Sequence, residues 1–134
     1  MAVIRSKRST SSLEFLANAR QLEIYTIQKC TKFPKRYTFY LSQPLANAAA
    51  RVYEATKKAN SLYPTNQHEA QLRRDELLRA NGELQNMVSQ LEIAQELFGV
   101  EPETMRRWME LVDTEIRLIK ALMKSDRERY RELP

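Results

Sequence analysis

His68 is the only histidine of the chain and Cys30 its only cysteine. A single histidine excludes a histidine-based metal centre or a Ser-His-Asp constellation, since both need partners that this sequence does not supply. Cys30 cannot form an internal disulfide and has no histidine near it in sequence. It reads as a small core residue rather than a nucleophile, and it fits a reducing, cytoplasmic setting. The carboxylates come closer to chemistry. Glu92 with Glu96, and Glu110 with Asp113, have spacings that place two acids on one helix face. A di-iron helical bundle, however, needs about four inward carboxylates and Glu-x-x-His pairs, and no Glu-x-x-His occurs. No Gly-rich phosphate loop is present either. These exclusions describe a protein that is not an enzyme and carries no metal and no cofactor.

Positive charge is the chemistry that remains. Lys32-Phe33-Pro34-Lys35-Arg36-Tyr37 sets three cations and two rings around one proline, with Lys29 one turn upstream. Proline has a fixed φ and no amide hydrogen, so it suits the first turn of a new helix and stops the previous one. The segment therefore predicts a helix–helix corner in which Phe33 is pinned to the core and Lys32, Lys35 and Arg36 stay in water. Such a corner suits a phosphate-rich partner, bound with strong salt dependence. Lys29, Lys32, Lys35 and Arg36, with the pair Arg73 and Arg74, are the candidate contacts to nucleic acid or to a protein partner. Arg106-Arg107 and Arg127, Arg129 and Arg131 are further basic runs. Tyr37, Phe39 and Tyr40 can stack on unpaired bases; for Phe39 and Tyr40 the expectation is instead that they fill the core around a kink. Trp108, flanked by Met105, Met109 and Leu111, is expected in the core.

Four helical patterns position these groups. The first, over 12–32, opens with a capping box of Ser11 and Glu14 and carries Leu16, Ala19, Leu22 and Cys30 on one stripe. The second, over 34–62, has a seam of Leu41, Leu45, Ala48, Val52, Ala55, Ala59 and Leu62, and Pro44 is expected to kink it near 40–44. Asn66 with Glu69 caps the third, over 67–98, whose seam is Ala80, Leu84, Met87, Leu91, Ala94 and Phe98. Asn81-Gly82 would signal a hairpin between strands, but its flanks have helical period and it is kept inside the helix. Gly99 is the expected C-cap. Pro102 opens the fourth helix, over 102–130, with a seam of Met105, Met109, Val112, Ile116, Ile119 and Met123. Strict alternation of four and three along these seams favours near-parallel packing. The result is an all-α, up-down-up-down antiparallel four-helix bundle.

Composition agrees. Of 134 residues only 2 are glycine, far below the usual ~7% and suited to long helices with few turns. Residues 11–134 form the single domain, and residues 1–10 read as a basic flexible tail. The net charge of +5 is unevenly placed: residues 1–60 carry 11 basic and 3 acidic side chains, residues 61–134 carry 11 and 14. Either an acidic partner meets the first half or the halves complement each other between subunits. No apolar run approaches the roughly 18 residues of a membrane span, and Arg5, Lys7 and Arg8 are not followed by the apolar segment of a signal peptide. Leu77, Val88 and Leu97, and Leu111, Leu118 and Leu122, lie off the seams, which favours a homo-oligomer that covers them.

With these residues in view the chain resembles a known family. The Phe-Pro-Lys corner, Leu41 and Gln43, Val52-Tyr53-Glu54, Ala59-Asn60, Arg73-Arg74 and Ser125-Asp126-Arg127 are similar to the four-helix-bundle accessory variability determinant proteins of diversity-generating retroelements. The similarity runs from about Leu13 to Arg129. It implies a homopentameric barrel with a positively charged surface. Such a barrel binds RNA or DNA and the element's reverse transcriptase and supports mutagenic copying of a template RNA into a variable gene. Related bundles are encoded in ribosomal RNA intervening sequences, which gives the alternative of a structural protein-interaction module.

Overall fold

A computed structural model describes the backbone of residues 2–134 and the side chains of residues 14–134. The described chain is all-helical. Helix α1 spans Ala2–Cys30, α2 Gln43–Ser61, α3 Gln67–Leu97 and α4 Pro102–Arg129, with a 3-10 turn over Lys35–Tyr37 and a π turn over Thr38–Ser42 between α1 and α2. Each helix packs on the next, and α4 closes the ring against α1. The basic tail expected over 1–10 and the Ser11 cap lie outside the described side chains.

The long seams explain the architecture. Leu41, Leu45, Ala48, Val52, Ala55 and Ala59 are buried, as are Ala80, Leu84, Met87, Leu91 and Ala94. Burial of these side chains supplies the main driving force, at about 25 cal/mol per Å² of apolar surface. On α4 the buried face is rotated from the expected one. Trp108, Leu111, Val112, Glu115 and Ile119 point inward, while Met105, Met109, Ile116 and Met123 are half-buried at the edge. Trp108 lies in the core, as its apolar neighbours led one to expect, and its Nε1 donates to Thr26 Oγ1 at 3.0 Å.

The off-seam leucines have a similar explanation. Leu77 and Leu111 are fully internal, and Val88, Leu118 and Leu122 pack against the core within the same chain. Of the six, only Leu97 is half in solvent. A wide core face therefore accounts for most of the apolar surface that favoured an oligomer.

Helix ends follow local chemistry. Asn66 Oδ1 accepts from the Glu69 amide at 2.8 Å, and Glu69 Oε1 reaches back to the amide and hydroxyl of Thr65, both at 2.7 Å. This is a capping box displaced by one residue at its return bond. Gly99 takes φ +77° after α3, a left-handed conformation that a Cβ disfavours and that helix C-caps use. Glu101 caps α4 through the amides of Glu103 and Thr104. Helix α3 runs unbroken through Asn81-Gly82.

A Cβ added at Gly82 meets no atom within 4 Å. Gly82→Ala therefore removes backbone entropy from the unfolded chain without a clash, and should stabilise by about 0.5–1 kcal/mol. A thermal melt should shift upward by a few degrees; a downward shift would contradict a continuous helix at this position.

Candidate nucleic-acid interface

The corner is built by a succession of tightening and widening turns. Amides of Lys32 and Phe33 bond to the carbonyls of Lys29 and Cys30, both at 3.1 Å, so the end of α1 tightens into three-residue turns. Pro34 has φ −55° and ψ 133° and no amide hydrogen, which ends that run. The Tyr37 amide then bonds to the Pro34 carbonyl at 3.0 Å to start the 3-10 turn. Pro44 has no hydrogen to return to the preceding turn. The chain widens into the π turn over Thr38–Ser42 and takes up regular α geometry at Gln43, with Pro44 in its first turn. The kink expected near 40–44 is thus a π turn, and α2 begins at Gln43 rather than at residue 34.

Aromatic contacts hold the corner in place. Phe33 is buried with its ring centroid 4.8 Å from Phe98 and 5.8 Å from Trp108, and Tyr37 stacks on Phe98 at 5.3 Å. Tyr25 meets Trp108 edge-on at 5.8 Å, and its hydroxyl donates to the Thr104 carbonyl at 3.1 Å. Edge and offset pairs of this kind add roughly 0.5–1.5 kcal/mol each to their area burial.

Phe39 and Tyr40 break the expectation that they fill the core. They are 81% and 76% exposed, whereas Leu41 beside them is buried. The π turn is the cause: its extra residue rotates Thr38, Phe39 and Tyr40 outward and leaves Leu41 alone on the inner face.

Lys32, Lys35 and Arg36 are exposed and Lys29 is half-buried. Among the described residues none of the four lies within 4.0 Å of a carboxylate. Residues 24–53 contain no aspartate or glutamate. Two of the cations rest on rings, Lys29 Nζ 5.3 Å from the Tyr25 centroid and Arg36 Cζ 5.0 Å from that of Tyr37, which orients them without neutralising them. Glu101, at the start of α4, feels the charge of Lys29. Its carboxyl is held below the usual range by the Thr104 hydroxyl first and then by the amides it caps.

Arg73 and Arg74 belong elsewhere. They lie at the start of α3, and the length of α2 separates them from the corner by roughly 30 Å at ~1.5 Å per residue. Arg73 is only 6% exposed. Its Nε donates to Asp126 Oδ2 at 2.6 Å, and its Nη1 to the carbonyls of Ala59 and Leu62 at 2.8 and 3.2 Å. The guanidinium joins the end of α2, the start of α3 and the end of α4, so Arg73 serves the fold and does not face a phosphate. Arg74 is half-buried and lines an open groove with Gln67, Gln71, Arg127 and Arg131. Other basic runs are partly compensated: Arg106 pairs with Glu103 and Glu110, Arg107 with Glu110, Arg129 with Asp126 and Arg131 with Glu128, while Arg127 has no ion pair among the described residues. The corner is where unpaired cations and free rings coincide.

The candidate catalytic groups are dispersed. Glu92, Glu96, His68 and Asp113 are exposed. Burial pushes the Cys30 thiol up to about 12, so it stays protonated. No described helix is long and apolar enough to cross a membrane. No family model, no curated protein and no solved structure matches the chain.

Glu115 is an internal acid that the seam reading passed over. It is fully buried, accepts from Asn18 Nδ2 at 3.0 Å through Oε1, and has no partner at Oε2 among the described residues. Reading α4 along Trp108, Val112, Glu115 and Ile119 would have placed it inside. Desolvation raises its pKa from 4.5 to about 7, against the lowering effect of the Asn18 bond. The folded protein therefore binds more protons than the unfolded chain between those values. Stability is fullest below pH 4.5 for this group and falls as pH rises toward 7, by about 3 kcal/mol in the limit. Glu115→Gln should remove this slope, seen as a melting temperature that declines less between pH 5 and pH 8 than that of the parent. Parallel pH profiles would contradict a protonated internal Glu115.

Proposed function

We propose that the chain is a non-enzymatic nucleic-acid-binding accessory protein of a diversity-generating retroelement. It acts in the cytoplasm as a homopentamer. It binds RNA or DNA and the reverse transcriptase through its basic surface, in support of mutagenic retrohoming. The observation that carries this reading is the corner, where Lys32, Lys35 and Arg36 stand exposed and unpaired in a stretch of thirty residues without an acid. A surface of that kind attracts polyanions by releasing their counterions. The retroelement role and the pentamer rest on the family resemblance. Leu72, Leu78, Ile93 and Leu97 on α3 leave half-exposed apolar surface for contacts between subunits.

A second reading is a structural protein-interaction module of the ribosomal-RNA intervening-sequence type. The cluster of exposed cations at the corner favours it, because one acidic protein could cover that end. Competition separates the two. Heparin and RNA both displace a nucleic-acid ligand, whereas a specific acidic protein outcompetes RNA.

Lys35→Glu with Arg36→Glu should weaken binding of a labelled RNA about tenfold or more at moderate salt. It should also lower the slope of log affinity against log salt by about one to two. The melting temperature should change little, since both side chains are exposed. Fluorescence anisotropy reads the affinity, and unchanged affinity would remove the corner from the interface.

A further inference from the structure

Phe39 and Tyr40 are the most exposed rings beside the free cations, and the fold gives them no partner. Tyr37, two residues earlier, shows the contrast, since its ring is stacked on Phe98 at 5.3 Å. Single exposed apolar residues are ordinary on a protein surface. Two adjacent rings at 81% and 76% exposure, on a π turn, are not the same thing. Single-turn π irregularities recur at functional positions, and here the irregularity is what turns the rings outward. Lys35 and Arg36 precede the rings by three to five residues. That is about one helical turn, which puts charge and ring within reach of one nucleotide.

We propose that Phe39 and Tyr40 form a stacking platform for unpaired bases, with Lys35 and Arg36 holding the neighbouring phosphates. This rests on the nucleic-acid reading above and narrows it to single strands. In a duplex the base faces are already covered by their neighbours, so the rings have nothing to add. In a single strand every base offers a free π-face, and stacking on an aromatic side chain contributes without regard to sequence. The charge complementarity selects the occupant: the rings are bordered by cations and by no carboxylate within residues 24–53, as a polyanion requires.

The test compares three labelled ligands with the full chain: an oligouridine of about ten nucleotides, the same backbone with abasic positions, and a duplex of equal length. Phe39→Ala/Tyr40→Ala should weaken oligouridine binding by about tenfold or more, while duplex and abasic binding change by less than about twofold. Phe39→Trp/Tyr40→Trp should restore the oligouridine affinity. Lys35→Glu/Arg36→Glu should weaken all three. An alanine variant that binds oligouridine like the parent would overturn the platform and leave the nucleic-acid reading intact. So would equal losses on all three ligands, or a fall in solution mass by light scattering, which would assign the rings to a contact between copies. A parent chain that binds none of the three would defeat the nucleic-acid reading itself, and the platform with it.

Discussion

The geometry of this protein hangs on one ring. Phe33 is driven between Phe98 and Trp108, and that insertion decides where α1 ends, how the chain turns and which way the next residues face. A proline alone would stop the helix without fixing the direction that follows. Anchoring by Phe33, with Tyr37 stacked on Phe98, leaves the cations between and beside them no inward route. Lys32, Lys35 and Arg36 point to water because the apolar members of the same hexapeptide have taken the core. The π turn then does the same for Phe39 and Tyr40, with Leu41 as the inward residue.

Charge is distributed by a second rule, which is that most arginines in the latter half are already engaged. Arg73 is consumed by Asp126 and two carbonyls. Breaking such a buried pair by removing one partner typically costs about 3–5 kcal/mol, so its place in the sequence reflects the fold. Arg106 and Arg107 share Glu110 at the surface, where the pairing contributes little stability but cancels the field. At the other end of α2, Lys32, Lys35 and Arg36 have no such partner among the described residues.

Much of this was legible from periodicity. Helical seams, the Asn66 cap, the Gly99 terminus and the burial of Trp108 follow from spacing and from residue types with few alternatives. What escaped depends on tertiary context. The seam of α4 is ambiguous because Met105, Met109, Ile116 and Met123 compete with Trp108, Leu111 and Leu118 for the inner face, and the large indole wins. Glu115 was hidden by the expectation that acids face water. Arg73 looked like half of a surface pair, and only the approach of Asp126 from α4 shows otherwise. Phe39 and Tyr40 were misplaced because the π turn over Thr38–Ser42 swings its own side chains by part of a turn, and no local signal beyond Pro44 announces it. Lys32, Lys35 and Arg36 were expected in water at the corner, and they are exposed there.

The central claim is that a single-stranded nucleic acid lies on the corner. Ultraviolet cross-linking of the full chain to a labelled RNA, followed by trypsin and mass spectrometry, addresses it directly. No lysine or arginine lies between Arg36 and Arg51, so residues 37–51 emerge as one peptide carrying Tyr37, Phe39 and Tyr40. The account predicts nucleotide adducts on that peptide. Adducts confined to peptides holding Tyr63 or Tyr130, at the opposite end of the bundle, would contradict it.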